Sequence, residues 1–462
     1  MVSKSIVAVS SVAMLLAGCS HVQTAGRVAT GITAHQLCSA VFLGGADPAP
    51  YYKEAVVPFL GPASVLISHK VDTANRSVSA RSITGLESRA VDRGELGCLV
   101  IRGKEPARVD LTSVSRSASL LAPWPSQNAV SPANAELAKA LDRAFTEPGK
   151  KMHRGIKAIV VLHKGQIVAE RYAPGIGVHT RLHGWSMTKS VTNALLGRLV
   201  QQGRLDMFEP APVPEWSNPQ DPRHQITPDH LLRMVSGLDL GQTFNNNFTS
   251  ALDLSVQAEF AERDIGSFSA RARLIHPPGQ VWAYADGNTM ILSRILRDAV
   301  GGDARSVYAF ARQALLDPLG MEDAVLELDA TGTPYGGSHM WASARDWTRL
   351  GQLFAQDGMA GNQRLLPEGW VDYSARMTPA GDYIGQGAGF WTNRGHGFGP
   401  DRRTTAGMPA DAFMARGSQG NFVVIIPSKQ LVITQIGISN QQGGDIDGLL
   451  QLVRETIAAL KL

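Results

Sequence analysis

Ser186 and Lys189 stand three residues apart in Ser186-Met187-Thr188-Lys189, a spacing that puts both on one face of a helix. A serine hydroxyl becomes a useful nucleophile only when a neighbouring base takes its proton. A desolvated lysine amine can be that base. The first turn of a helix adds unpaired N–H groups and a positive dipole end, which favour a developing oxyanion. Two residues at fixed spacing also begin many ordinary helices, so the rest of the chain must supply the context.

The element that would carry the pair is a helix. Val191, Leu195 and Leu199, with Leu196 and Val200 beside them, recur at helical period, and Gly203 is placed to end it. This pattern predicts one buried stripe. Helix Ala133–Phe145, the apolar runs Ala158–Leu162 and Ile167–Ala169, the runs Phe422–Ile426 and Leu431–Ile436, and a closing helix Gly448–Leu462 frame the region. A helix and hairpin at one end, and a hairpin and helix at the other, predict one antiparallel sheet built from both ends. The intervening residues are mostly helical and predict a second lobe.

Composition narrows the function classes. The chain has 462 residues, 44% hydrophobic and 18% charged, long enough for one large domain and a smaller one. Its formal charge of +4 is scattered, without a basic run interleaved with aromatics, which argues against a nucleic-acid partner. Lys4 followed by the apolar run Ile6–Leu16 reads as a signal peptide, too short to span a bilayer. Cys38 and Cys98 are an even pair, which an oxidising compartment would join as one disulfide; two buried thiols are the alternative. Residues 19–105 read as a small appended module with short strands near Val78–Ile83 and Leu99–Ile101, and 106–132 as a Ser-, Ala- and Pro-rich linker or surface strap.

Several further segments then fall in order. His276-Pro277-Pro278-Gly279 precedes Trp282-Ala283-Tyr284-Ala285-Asp286-Gly287-Asn288. Ile226–Leu238 (ITPDHLLRMVSGL), Asp317-Pro318-Leu319-Gly320-Met321 and Ser343-Ala344-Arg345-Asp346 flank that segment on either side. Together with the serine motif, residues 133–462 resemble the serine β-lactamase and penicillin-recognising superfamily. The likeness is to its class C-like branch, with 6-aminohexanoate-dimer hydrolases and family VIII esterases. The resemblance implies an α/β (α+β) fold of the β-lactamase/transpeptidase type, with an antiparallel sheet flanked by terminal helices and a mainly helical lobe. It implies Ser186 as nucleophile, Lys189 and Tyr284 as joint proton carriers, and no cofactor or metal. Asp286 replaces the customary asparagine of the second motif and would hold Lys189 charged more strongly than an amide.

For the third motif, Ser418-Gln419-Gly420 takes the place where penicillin-binding relatives have lysine-threonine-glycine. By this resemblance Asp286, Ser418, Gly420 and Asn421 face the substrate, with Gly420 where backbone must approach it closely, and the oxyanion hole is the N–H of Ser186 with that of Asn421. Ser418 removes the cation that would hold a β-lactam carboxylate. Leu16-Ala17-Gly18-Cys19 resembles a lipobox, which implies removal of residues 1–18, lipidation of Cys19, and a membrane-anchored protein of the bacterial envelope, at the outer membrane facing the periplasm.

The expected activity is hydrolysis of small amides or esters through an acyl-enzyme on Ser186. The alternatives are a D-amino-acid peptidase or weak β-lactamase, and a non-catalytic envelope binding lipoprotein. Other schemes lack their residues. No serine has glycine at both −2 and +2, and no histidine is followed by glutamate, so neither a nucleophile elbow nor a zinc-protease helix is present. His183, three residues before Ser186, reads as structural.

Overall fold

The structure is a computed structural model and describes residues 3–125, 128–149, 151–241, 251–441 and 443–462, with residues 3–19 described by backbone alone. The lipidation expected at the Cys19 side chain, and part of the loop that begins at Thr243, therefore lie outside the described residues. Among the described residues no helix is long and apolar enough to cross a membrane.

The chain opens with helix α1 (Ser3–Phe42) and an antiparallel sheet of β1 (Ile67–Asp72), β2 (Ser77–Ser82), β3 (Glu87–Asp92) and β4 (Cys98–Val100). Cys38 on α1 and Cys98 on β4 are joined by a disulfide. This segment is knitted into the helical lobe. Arg102 donates to Phe260 O at 2.6 Å and Arg27 to Ala261 O at 3.0 Å, while a Cβ on Gly31 would lie 2.2 Å from Phe260 O. Residues 106–125 run as a strap over the lobe. Arg116 pairs with Asp317, Leu120 N donates to Pro318 O, and Arg349 lies 3.6 Å over the Trp124 ring.

Helix α2 (Ala135–Phe145) is capped by Asn134, whose side chain accepts from Leu137 N. It leads into β5 (Ile156–His163) and β6 (Gln166–Tyr172). The helices of the following stretch include α3 (Thr188–Gln201), α4 (Asp286–Val300) and α5 (Ala344–Ala355). The chain returns through β7 (Trp391–Thr392), β8 (Phe413–Gly417), β9 (Asn421–Ile426) and β10 (Leu431–Gly437), and ends in α6 (Ile446–Ala459). The six-stranded sheet runs β7-β8-β9-β10-β5-β6, so the last strand pairs with the first hairpin, Leu431 opposite His163. The α/β architecture expected from the sequence is present, with the sheet closed from both ends.

One core lies between the sheet and α3 and α5, where Val160, Leu162, Val423 and Val432 meet Trp347, Leu350 and Phe354. The other face of the sheet packs on α2 and α6 through Leu137, Leu141, Leu449 and Val453. The β5, β9 and β10 runs read as nearly continuous apolar stretches because both faces are covered.

Candidate active site

The serine turn sits where β8, α3 and a loop before α5 converge. A single 3-10 turn, Trp185–Met187, carries Ser186 and passes directly into α3. The turn is fixed from several sides. Gly184 N donates to Met340 O at 3.0 Å, and Thr188 Oγ1 donates to Trp185 O at 2.7 Å. Trp185 itself has φ +50, a left-handed conformation that costs a non-glycine residue on the order of 1–3 kcal/mol and survives only where its surroundings impose it.

The expected single buried stripe on α3 is not what forms. Residues 188–197 are buried around the whole helix, and the polar ones are bonded: Ser190 Oγ to Gly389 O, Thr192 Oγ1 to Gly336 O, and Asn193 Nδ2 to Ala388 O. The helix is enclosed by the loops at 336–340 and 388–390, so its polar residues anchor those loops.

Lys189 Nζ lies 3.0 Å from Ser186 Oγ and donates to Gly337 O at 2.7 Å. It forms an ion pair with Asp286, the first residue of α4, with both side chains almost wholly buried. The same ammonium lies 4.8 Å from the centre of the Tyr284 ring and is hydrogen-bonded to its hydroxyl. Burial alone would lower the lysine pKa. The Asp286 carboxylate, with the Tyr284 hydroxyl adding to it, outweighs burial and holds Lys189 above the ordinary lysine range. Burial raises Asp286 in turn, against the pull of Lys189. The structure thus brings together Ser186, Lys189, Tyr284 and Asp286.

The tyrosine is placed by the segment Ile226–Leu238. Thr227 caps the short helix Pro228–Leu232 in a box with His230. Beyond it, Met234 adopts φ +61 and its carbonyl accepts from Ala283 N at 2.9 Å. Asn288 on α4 accepts from Ser236 Oγ at 2.5 Å and donates to Ala285 O at 3.2 Å, tying the loop that carries Tyr284 to the same segment.

Ser418-Gln419-Gly420 is not strand; it is the turn between β8 and β9, with Gly417 opposite Asn421. Gly417 packs against the serine turn, where an added Cβ would lie 2.2 Å from Gly184 O and 3.1 Å from Trp185 Cβ. Gly420, with φ +90, faces Gly444 and Ser439 instead. Asn421 is a structural clasp. Its side chain donates to Ser418 O at 2.5 Å and accepts from Gly437 N at 3.1 Å. Ser418 is partly exposed at the end of β8. Sequence reading did not single out Gly417, because two glycines lie three apart and spacing alone cannot say which one packs on the serine turn.

Arg416 precedes that glycine. Its guanidinium lies 4.9 Å over the Trp391 ring and donates to Gly443 O, within the electrostatic reach of Tyr284, and burial lowers its pKa. A cation is therefore present on this wall, one residue before the contact glycine.

His183 Nε2 donates to Ser338 O at 2.8 Å, and its ring stacks on Trp341 at 4.9 Å. Burial holds its pKa well below the ordinary histidine value, in keeping with a structural part. Among the described residues one buried group, His35, Glu327 and His339, could in composition hold a metal ion. His35 Nε2 is hydrogen-bonded to Cys98 O at 3.1 Å and lies 2.5 Å from Glu327 Oε2, and His339 Nε2 lies 2.7 Å from Glu259 Oε1, the last two being close charge contacts without hydrogen-bond geometry. Ligands of a tetrahedral zinc ion would stand about 3.3 Å apart. The group reads as a polar network joining α1 to the loop that receives Lys189.

A family model described as Beta-lactamase matches residues 141–454. A 6-aminohexanoate-dimer hydrolase of Paenarthrobacter ureafaciens is 25% identical over 226 residues, 46% of this chain and 56% of that protein. The chain thus spans about half the length of that curated relative. Among solved structures, a candidate 6-aminohexanoate-dimer hydrolase from Bacillus anthracis aligns with a TM-score of 0.56 at 22% identity, covering 75% of this chain and 89% of that one. A penicillin-binding protein homologue from Caulobacter crescentus aligns with a TM-score of 0.54 at 17% identity, covering 72% of this chain and all of that one. At these identities the two structures speak to the fold alone.

Proposed function

The chain belongs to the beta-lactamase family, and from that premise we propose that it is a serine hydrolase cleaving small amides or esters through an acyl-enzyme on Ser186. The observation that carries the reading is the 3.0 Å approach of Lys189 Nζ to Ser186 Oγ at the head of α3, with Asp286 and Tyr284 against the same ammonium. Ser186 Oγ attacks the substrate carbonyl, and its proton passes into the Lys189–Tyr284 pair. The carbonyl oxygen becomes an oxyanion, which the N–H of Ser186 and the N–H following Gly417 receive. Paired donors of this kind are worth roughly 3 kcal/mol each. The leaving amine or alcohol takes the proton back from the pair, and water then releases the acyl group by the same path.

Linear amide dimers belong among the substrates, by analogy with the hydrolase from Paenarthrobacter ureafaciens. A second reading, a weak β-lactamase or D-amino-acid peptidase, is favoured by Arg416, a cation beside the contact glycine that could hold a substrate carboxylate. A chromogenic cephalosporin separates the two: turnover at rates comparable to those on simple esters favours the second. The anchored envelope location is part of the proposal. It requires Cys19→Ala to move the protein from the membrane fraction to the soluble fraction.

The deciding experiment is labelling by a fluorophosphonate together with hydrolysis of p-nitrophenyl esters of increasing chain length and a small set of amides. The parent should label and turn over, and Ser186→Ala should do neither. A parent that neither labels nor turns over would leave a non-catalytic binding protein as the reading, and a Ser186→Ala protein as active as the parent would remove Ser186 as the nucleophile.

A further inference from the structure

Trp185, the residue before the candidate nucleophile, is held in its left-handed conformation by groups outside the four that carry the chemistry. Its indole Nε1 donates to Gln419 Oε1 at 3.1 Å. Its ring stacks on Phe59 at 4.8 Å with 30° between planes, and lies 4.1 Å from His183 on another side. Gln419 is itself buried and left-handed, φ +63, in the turn that follows Gly417. Its amide Nε2 donates to Ala55 O at 3.2 Å, and its backbone carbonyl accepts from Ser439 N at 2.9 Å. Both ends of this side chain are therefore committed, one to the nucleophile turn and the other to residues 55–59 of the N-terminal segment.

We propose that Gln419 and Phe59 are positioning residues that clamp Trp185, making the N-terminal segment a working part of the active site. This rests on Ser186 being the nucleophile. Three facts converge on it. The backbone at 185 is one that an L-residue leaves unless held. The close packing of Gly417 on Gly184 O transmits any shift of that turn directly to β8 and its N–H groups. The two restraints on the indole come from different parts of the chain, the β8–β9 turn and the segment after α1, so neither is a by-product of folding α3. Releasing the indole would let the peptide at 185–186 rotate, moving Ser186 Oγ relative to Lys189. Misplacements on the order of 1 Å cost roughly 100-fold in rate.

The test is kinetic, on the full chain. Gln419→Met keeps the volume and removes both hydrogen bonds. It should slow fluorophosphonate labelling and kcat on a p-nitrophenyl ester by roughly 10-fold, with KM changed less than about twofold and the thermal midpoint held. Because Gln419 acts through the indole N–H, adding Gln419→Met to Trp185→Phe should cost little beyond Trp185→Phe alone. Phe59→Leu, on the opposite face, should slow labelling severalfold, and it carries the test if Gln419→Met does not fold. Parental labelling rates in both single variants, or factors that simply multiply in the Gln419/Trp185 double variant, would overturn the clamp. Loss of labelling in Ser186→Ala is the separate control. If Ser186→Ala labels like the parent, the hydrolase reading fails before the clamp is reached.

Discussion

Asp286 decides how the Lys189 amine spends its protons. An ammonium bonded to Ser186 Oγ and Gly337 O, and paired with a buried carboxylate, is a poor acceptor for the serine proton. The reaction then waits on loss of a proton from the Lys189–Tyr284–Asp286 group, which places the ascending limb of the pH–rate profile high. Asp286→Asn removes the charge that holds Lys189 up. The folded pKa of Lys189 should drop, and the ascending limb of kcat/KM should move down by about one pH unit or more. A profile measured from pH 5 to 10 on a p-nitrophenyl ester checks this, and an unmoved limb would show that Asp286 does not govern the base. Removing the other partner is different in kind. Lys189→Met leaves a buried carboxylate unpaired and should lower stability by about 3 kcal/mol as well as abolish turnover, read by urea unfolding.

At the scale of elements, the site depends on β8 lying hard against the serine turn. Gly417→Ala would drive a methyl into Gly184 O, a backbone atom that cannot swing away. We expect turnover to fall at least about 10-fold, a larger loss than for Gly420→Ala, where the nearest atoms are 3.6 Å away and φ +90 is the only obstacle. Comparing the two variants by kcat at matched thermal midpoint distinguishes the contact glycine from the turn glycine. The strands, the helices and the serine–lysine–tyrosine set were legible in sequence because each leaves a local mark: apolar runs between turns, a capped helix, a motif within one segment. Which glycine packs on the serine turn was not, since Gly417 and Gly420 carry the same local signal and only tertiary packing tells them apart. The polar residues of α3 misled for a related reason. Ser190, Thr192 and Asn193 look solvent-facing to a periodicity argument, yet each has a buried backbone carbonyl waiting for it.

Across the whole molecule, buried ionisable groups set the response to acid. The fold keeps His183 and His339 neutral by burial, with pKa values well below the ordinary histidine value. The unfolded chain takes up those protons below about pH 6.5, so stability is lost as pH falls through that point, by about 1.4 kcal/mol per pH unit for each histidine. Asp329 runs the other way. Burial pushes its carboxyl up to about 6 from 3.8, so between these values the fold holds a proton that the unfolded chain has released. Its contribution therefore falls as pH rises from about 4 to 6, and grows as pH falls. Asp329→Asn should remove that compensation and steepen the loss of urea stability between pH 6 and 4 by about 3 kcal/mol relative to the parent. Breaking the Cys38–Cys98 bridge, which spans 60 positions, should cost about 4 kcal/mol by chain-entropy arguments, measured with a Cys38→Ser/Cys98→Ser protein.

The pairing of β10 with β5 has a consequence for how the protein is made. Ile156–His163 has its own hairpin partner on one edge, but the other edge stays open until residues 431–437 have been synthesised. For the time a ribosome needs to add some 270 residues, at about 5–20 per second, an apolar strand edge is without its neighbour. A nascent chain of this design is most exposed to sticking to its own kind late in its synthesis, and a holding chaperone acting in that interval would improve yield more than one acting after release.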